Sequence, residues 1–84
     1  MKTRYIIEND NICYYYLDRA MTILHREDGP AFYEKDINYR AWYINGVRHR
    51  EDGPAVEYNN IKCWFINGNL VTESEHKNLT SETH

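Results

Sequence analysis

A seven-residue sequence, HREDGPA, occurs twice in this chain, at residues 25–31 and again at 49–55. After a short variable interval each copy leads into an aromatic run that ends in Asn-Gly, WYING at 42–46 and WFING at 64–68. With a two-residue insertion placed in the first unit near Lys35 to Ile37, 12 of 20 aligned positions are identical between residues 25–46 and 49–68. A duplication at this period belongs to hairpin and solenoid repeats, in which one supersecondary unit is stacked on the next. Repetition therefore settles architecture before it says anything about chemistry.

A third, degraded unit lies upstream. Residues 6–18 align with 56–68, which sets Cys13 on Cys63 and Tyr14 on Trp64. The interval from this unit to His25 is longer than the later one, so a longer turn is expected near residues 17–20.

Within each unit, β-branched and aromatic residues alternate with turn chemistry, the pattern of antiparallel hairpins. Asn45-Gly46 and Asn67-Gly68 suit type I′ turns, whose two central residues both need positive φ. Asn59-Asn60 and Asn9-Asp10 are assigned the same role, and residues 35–38 a wider loop. Pro30 and Pro54 donate no backbone hydrogen bond and hold the preceding Gly out of the helical region, so they belong at corners between hairpins. Thr72 followed by Glu75 is a capping box, which predicts a short helix closing the array where a third heptapeptide would begin. The expected fold is all-β: an antiparallel meander of about six strands in three tandem hairpin repeats (6–18, 25–46, 49–68), a helical cap over 72–80 and a frayed tail at 81–84.

At 84 residues the chain forms one domain, near the size at which a core alone is marginally stabilising. Two Trp, eight Tyr and two Phe offset this, since each ring can bury roughly 150 to 250 Å². Period-two alternation puts Tyr14, Trp42 and Trp64 on one side of the sheet and Tyr15, Tyr43 and Phe65 on the other. One column is core. The second has nothing of its own to cover it except the tail, which makes Tyr15, Tyr43 and Phe65, with Tyr14 and Tyr33, the candidate partner-binding residues.

The formal net charge is −3 and the basic residues form no cluster, which argues against nucleic acid as the partner. No apolar stretch is long enough to span a membrane. Glu8, Asn9 and Asp10 interrupt the only early apolar run, so no secretory leader is expected; Cys13 and Cys63 then read as reduced thiols of a cytoplasmic protein. The HRED tetrads carry the residue types of general acid–base catalysis or ligand binding: His25, Arg26 and Asp28, and His49, Arg50 and Asp52. A catalytic site needs asymmetry of role, whereas charges repeated once per unit suit a scaffold, with Arg26 able to pair with Asp52 or Glu51 along the array. No closely spaced Cys/His set suggests a metal, and no glycine-rich loop suggests a nucleotide cofactor, so neither a metal nor a cofactor is expected.

The pattern of Trp, aromatic, any residue, Asn-Gly, two residues and HRxDGPA resembles a tandem repeat family found in bacteriophage, giant-virus and bacterial proteins. The resemblance is specific at Trp42, Asn45, Gly46, residues 49–55, Trp64, Asn67 and Gly68. There is a looser similarity to MORN hairpin repeats, without their glycine-rich core pattern. The resemblance implies a β-hairpin fold and, for a viral chain, a small accessory protein in the host cytoplasm that binds and blocks a host protein, such as a defence factor; it transfers no catalytic residue. The expected function is protein binding without catalysis, with a homodimer as its nearest variant. The alternatives are a small-ligand or nucleotide-signal binder, or a hydrolytic enzyme, built on the HRED tetrads.

Overall fold

In the computed structural model, which describes residues 5–80, nine short strands and one helix follow each other along the chain. They are β1 (Tyr5–Glu8), β2 (Ile12–Tyr16), β3 (Phe32–Glu34), β4 (Tyr39–Ala41), β5 (Tyr43–Ile44), β6 (Val47–Arg48), β7 (Val56–Tyr58), β8 (Ile61–Ile66), β9 (Asn69–Val71) and α1 (Glu73–Thr80). Seven strands form one antiparallel sheet in the order β1-β2-β3-β4-β7-β8-β9, and β5 and β6 form a separate two-stranded ribbon. The all-β meander with a helical cap is the expected fold. The expected tail at 81–84 lies outside the described residues.

The last two units hold more strands than the hairpins expected from the sequence. In the last unit, β8 pairs through residues 61–63 with β7 and through residues 64–66 with β9. The middle unit repeats this with its long strand interrupted at Trp42: β4 pairs with β3 and β7, and β5 with β6. In the first unit the extra strand shrinks to a single bridge between Tyr16 and Leu24. Two- and three-residue strands made of Val-Arg or Asn-Leu-Val are too short for an alternating pattern to announce them.

Local chemistry explains the turns. Asn45 and Gly46 take φ 52° and 79°, and Asn67 and Gly68 take 50° and 83°, as type I′ turns require. A side chain at Gly68 would in addition meet Val47 Cγ1 at 2.9 Å. The Asn9-Asp10 turn is different. The Asn9 carboxamide accepts hydrogen bonds from the backbone N–H groups of Asn11 and Ile12, both at 2.8 Å, and neither Asn9 nor Asp10 takes a positive φ. It is an Asx turn, in which a side chain imitates the backbone. In the longer turn before His25, the Asp18 carboxylate accepts from the Thr22 hydroxyl and from the N–H groups of Ile23 and Thr22, which holds that carboxyl below its ordinary range.

The first unit is displaced by one residue from its sequence alignment. Tyr15 donates its N–H to Ala31 O and Trp42 donates to Ala55 O, while Tyr14, Ala41 and Cys63 stand opposite Phe32, Val56 and Val56. Tyr14 is thus the counterpart of Ala41 and Cys63, and Tyr15 of Trp42 and Trp64. The identity of Cys13 with Cys63 misleads: Cys13 stands level with Tyr33, Arg40, Glu57 and Lys62. A one-residue slip moves every side chain to the opposite face, so the two expected aromatic columns are redistributed.

The fully covered side chains are small. Ala31, Ala41 and Ala55 are 0% exposed and Cys13 1%. The molecule is only 18 Å across its shortest dimension, a single sheet layer with loops and α1 packed at its margins. Among the described residues its large rings are half-buried, apart from the exposed Tyr58, and none is fully covered.

At the C-terminal end the capping box forms: Thr72 N–H donates to Glu75 Oε1 at 2.9 Å and Glu75 N–H to Thr72 Oγ1 at 3.0 Å. This starts α1, whose His76 is 4% exposed and places Nε2 2.6 Å from the carbonyl oxygen of Arg50. Because the acceptor is a carbonyl, Nε2 carries the proton. Replacing His76 with Ala leaves that carbonyl without its donor and opens a hole under the cap, at a cost of about 1 to 3 kcal/mol. The urea midpoint of the H76A variant should fall accordingly, whereas Lys77→Ala, exposed on the same helix, should leave it in place.

Candidate functional site

Register assigns the two faces, because residues directly opposite in an antiparallel pair point to the same side. One face carries Tyr14 and Tyr16 of β2, Phe32 of β3, Tyr39 of β4, Tyr58 of β7 and Phe65 of β8. Five of these rings form a continuous row across four strands. Centroid separations are 5.9 Å for Tyr16–Tyr14, 4.8 Å for Tyr14–Phe32, 5.5 Å for Phe32–Tyr39 and 5.9 Å for Tyr39–Tyr58, all in tilted or edge-on geometry. That is the range in which aromatic pairs attract beyond simple burial. Tyr43 and Phe65 continue the surface under the guanidinium of Arg48, which lies 5.9 Å from one ring and 5.3 Å from the other. Ile7, Tyr58, Ile61 and Leu70 extend it with exposed apolar area.

The opposite face carries Glu8, Cys13, Tyr15, Tyr33, Arg40, Glu57, Lys62 and Trp64. Of the partner-binding candidates, Tyr14, Tyr43 and Phe65 therefore lie on the aromatic face, and Tyr15 and Tyr33 do not. The latter pair sits with the buried Cys13. Burial pushes the Tyr15 hydroxyl upward in pKa, and a hydrogen bond with the Cys13 thiol does the same for Tyr33, so both phenols stay neutral.

The heptapeptides fold around their own arginine. Arg50 Nε donates to Asp52 at 2.8 Å, its Nη1 donates to Pro54 O at 3.0 Å, and the guanidinium lies 3.9 Å from the centre of the Trp42 ring. Arg26 repeats the set with Asp28 at 2.9 Å, Pro30 O at 3.2 Å and Tyr15 at 4.0 Å. Cation–π stacking of this kind links each loop to the preceding unit. Gly53 and Gly29 make room, since a Cβ at either would stand 2.8 Å from the arginine Cζ. The arginines thus pair within their own loops, and the expected pairing of Arg26 with Asp52 or Glu51 does not form. A second carboxylate, Glu57, bridges Arg50 and Arg40 at 3.4 and 3.3 Å. The hydrogen bond and charge of Arg50 hold the Asp52 carboxyl below the usual range despite its exposure.

The histidines bind forward. His25 Nδ1 accepts the N–H of Asn45 and His49 Nδ1 that of Asn67, each at 2.9 Å. Each heptapeptide thus holds the Asn-Gly turn that follows it. The other nitrogen, Nε2, faces Glu27 at 3.4 Å and Glu51 at 3.2 Å. With Nδ1 accepting from the backbone, the proton sits on Nε2, and using either imidazole as a base would cost the latch.

Between the two loops runs an open groove of about 740 Å³, floored by Trp42 and Ile44 and flanked by Arg26, His49, Arg50 and Asp52. His49 lines it and His25 does not, so the two histidines do not converge. Among the described residues no three His, Cys, Asp or Glu side chains are grouped to hold a metal ion. Both cysteines are free thiols. No helix of the described residues is long and apolar enough to cross a membrane.

Several residues of these sites carry no signal of their own in the sequence. Phe32, Tyr39 and Tyr58 become a row only once β3, β4 and β7 are paired in register. His76 gives no hint of its role, because the carbonyl it binds lies 26 residues away in the chain. No protein-family model matches this chain, and neither a curated protein nor a solved structure does.

Proposed function

We propose that this chain is a protein-binding module without catalytic activity, which occludes the surface of its partner by laying its aromatic face against it. The observation that carries this reading is the row Tyr16, Tyr14, Phe32, Tyr39 and Tyr58, flanked by exposed Ile7, Ile61 and Leu70. Tyrosine-rich, rigid surfaces give large contact area with little side-chain entropy to lose, the economy that binding loops exploit. The HRED tetrads support the same reading from the other side, because their histidines and arginines are already engaged in holding units together. A viral accessory protein that blocks a host factor is the biological setting the repeat resemblance suggests.

The test compares the two faces. Tyr58→Asp on the aromatic face and Glu51→Lys on the heptapeptide face are both exposed changes. A photo-crosslinker placed at Leu70 should trap one defined partner in the wild type and in E51K, and lose it in Y58D. Trapping abolished by E51K and retained in Y58D would overturn the assignment to the aromatic face.

A further inference from the structure

The junction between units recurs along the chain with the same strand geometry. The long strand of one unit pairs antiparallel with the first strand of the next, β2 with β3 and then β4 with β7. At the second junction Arg40 stands opposite Glu57, and their side chains form an ion pair at 3.3 Å. Residues 61–63 of β8 occupy the same place in the last unit. On one side they pair with β7; β9 takes residues 64–66 only, so no strand of the described residues lies along their other side. A groove of about 400 Å³ opens there, beside Lys62, Cys63 and the start of α1. At the opposite end of the sheet β1 pairs, among the described residues, with β2 alone. The molecule thus ends in two unlike edges that its own internal junction shows how to join.

We propose that a second copy of this chain docks head to tail, β1 of one copy adding antiparallel to the open side of residues 61–63 of another. Carrying the internal register across the contact brings Glu8 opposite Lys62 and Ile7 opposite Cys63. Glu8 matches Glu57 and Ile7 matches Val56, as their shared positions opposite Cys13 and Lys62, and opposite Tyr14 and Cys63, require. The charge pair reproduces that of Arg40 and Glu57, and opposite charges across a ladder attract where like charges repel. Ile7 and Ile61, 47% and 57% exposed, lose water on association. The contact is heterologous, so it propagates into chains or closes as a ring instead of stopping at a two-fold dimer. It leaves the aromatic face open and extends it from copy to copy, so it stands whether or not that face binds a partner.

Sedimentation equilibrium of the wild type should give a mass that climbs above 10.1 kDa with concentration and passes twice that value, levelling off only where a ring of three or more copies closes. Glu8→Lys and Lys62→Glu should each weaken association about tenfold by setting like charges opposite each other. An equimolar mixture of E8K and K62E should associate again, because the lysine introduced on β1 of one variant then meets the glutamate introduced on β8 of the other. Thermal melts establish that each variant is folded, and K62Q replaces K62E should the latter fail to fold. A wild type that stays monomeric at all concentrations, or single variants that associate as well as the wild type, would overturn the proposal.

Discussion

Arg50→Ala should lower the midpoint of thermal unfolding by about 10 to 20 °C. Arg50 is one of the few side chains that joins three things at once: the Asp52 carboxylate and Pro54 carbonyl of its own loop, the Trp42 ring of the preceding unit, and Glu57 at the start of the next hairpin. Its side chain is 21% exposed, so these contacts are partly shielded from water and are worth more than a surface pair. Charge-assisted hydrogen bonds and a desolvated cation–π contact together suggest about 2 to 3 kcal/mol, discounted because the loss of one loosens the others. Gly53→Ala should cause a similar loss by a different route, since the added Cβ displaces the guanidinium that rests on that glycine. The double variant should be far less destabilised than the two single effects added together. Additive losses in that cycle, measured by urea denaturation, would mean that the glycine and the arginine act independently.

The repeats and their turns were legible because their chemistry is local. Asn67-Gly68 announces positive φ within two residues, and Thr72 with Glu75 announces a helix start within four. Faces were harder. They depend on register, and in the first unit the identity of Cys13 with Cys63 suggests one register while the backbone bonds of Tyr15 give Tyr14 the equivalent place. The one-residue difference puts Tyr15 on the face opposite Tyr43 and Phe65, and the row from Tyr16 to Tyr58 emerges only from the pairing of β3, β4 and β7. Charges repeated once per unit suit pairing from unit to unit, yet each heptapeptide arginine pairs with the aspartate of its own loop. An arginine that folds back over a glycine three residues ahead leaves a sequence trace, Arg-x-x-Gly, that makes sense only once the loop is seen to wrap around its own side chain.

Ala55→Leu should be about as damaging as the loss of Arg50, and for the opposite reason. Ala55 is 0% exposed, and both its backbone groups are fixed: its N–H donates to Cys63 O at 2.8 Å and its carbonyl accepts from Trp42 N–H at 2.7 Å. Pro54 restricts the chain on one side and the β7 ladder on the other. A backbone held at so many points cannot retreat from a larger side chain, so the extra carbons must push the heptapeptide off the sheet or break the bond to Trp42. Overpacking of this kind costs about 1 to 3 kcal/mol, and the upper end applies where the site cannot relax. Val56→Leu is the control. Val56 is half-buried on the aromatic face, and its replacement should change the urea midpoint little. Equal losses for A55L and V56L would show that the sheet yields as a whole. A loss confined to A55L would locate the rigidity of the fold where the heptapeptide rejoins the ladder, which explains why small residues alone occupy the fully covered positions of a chain otherwise rich in large rings.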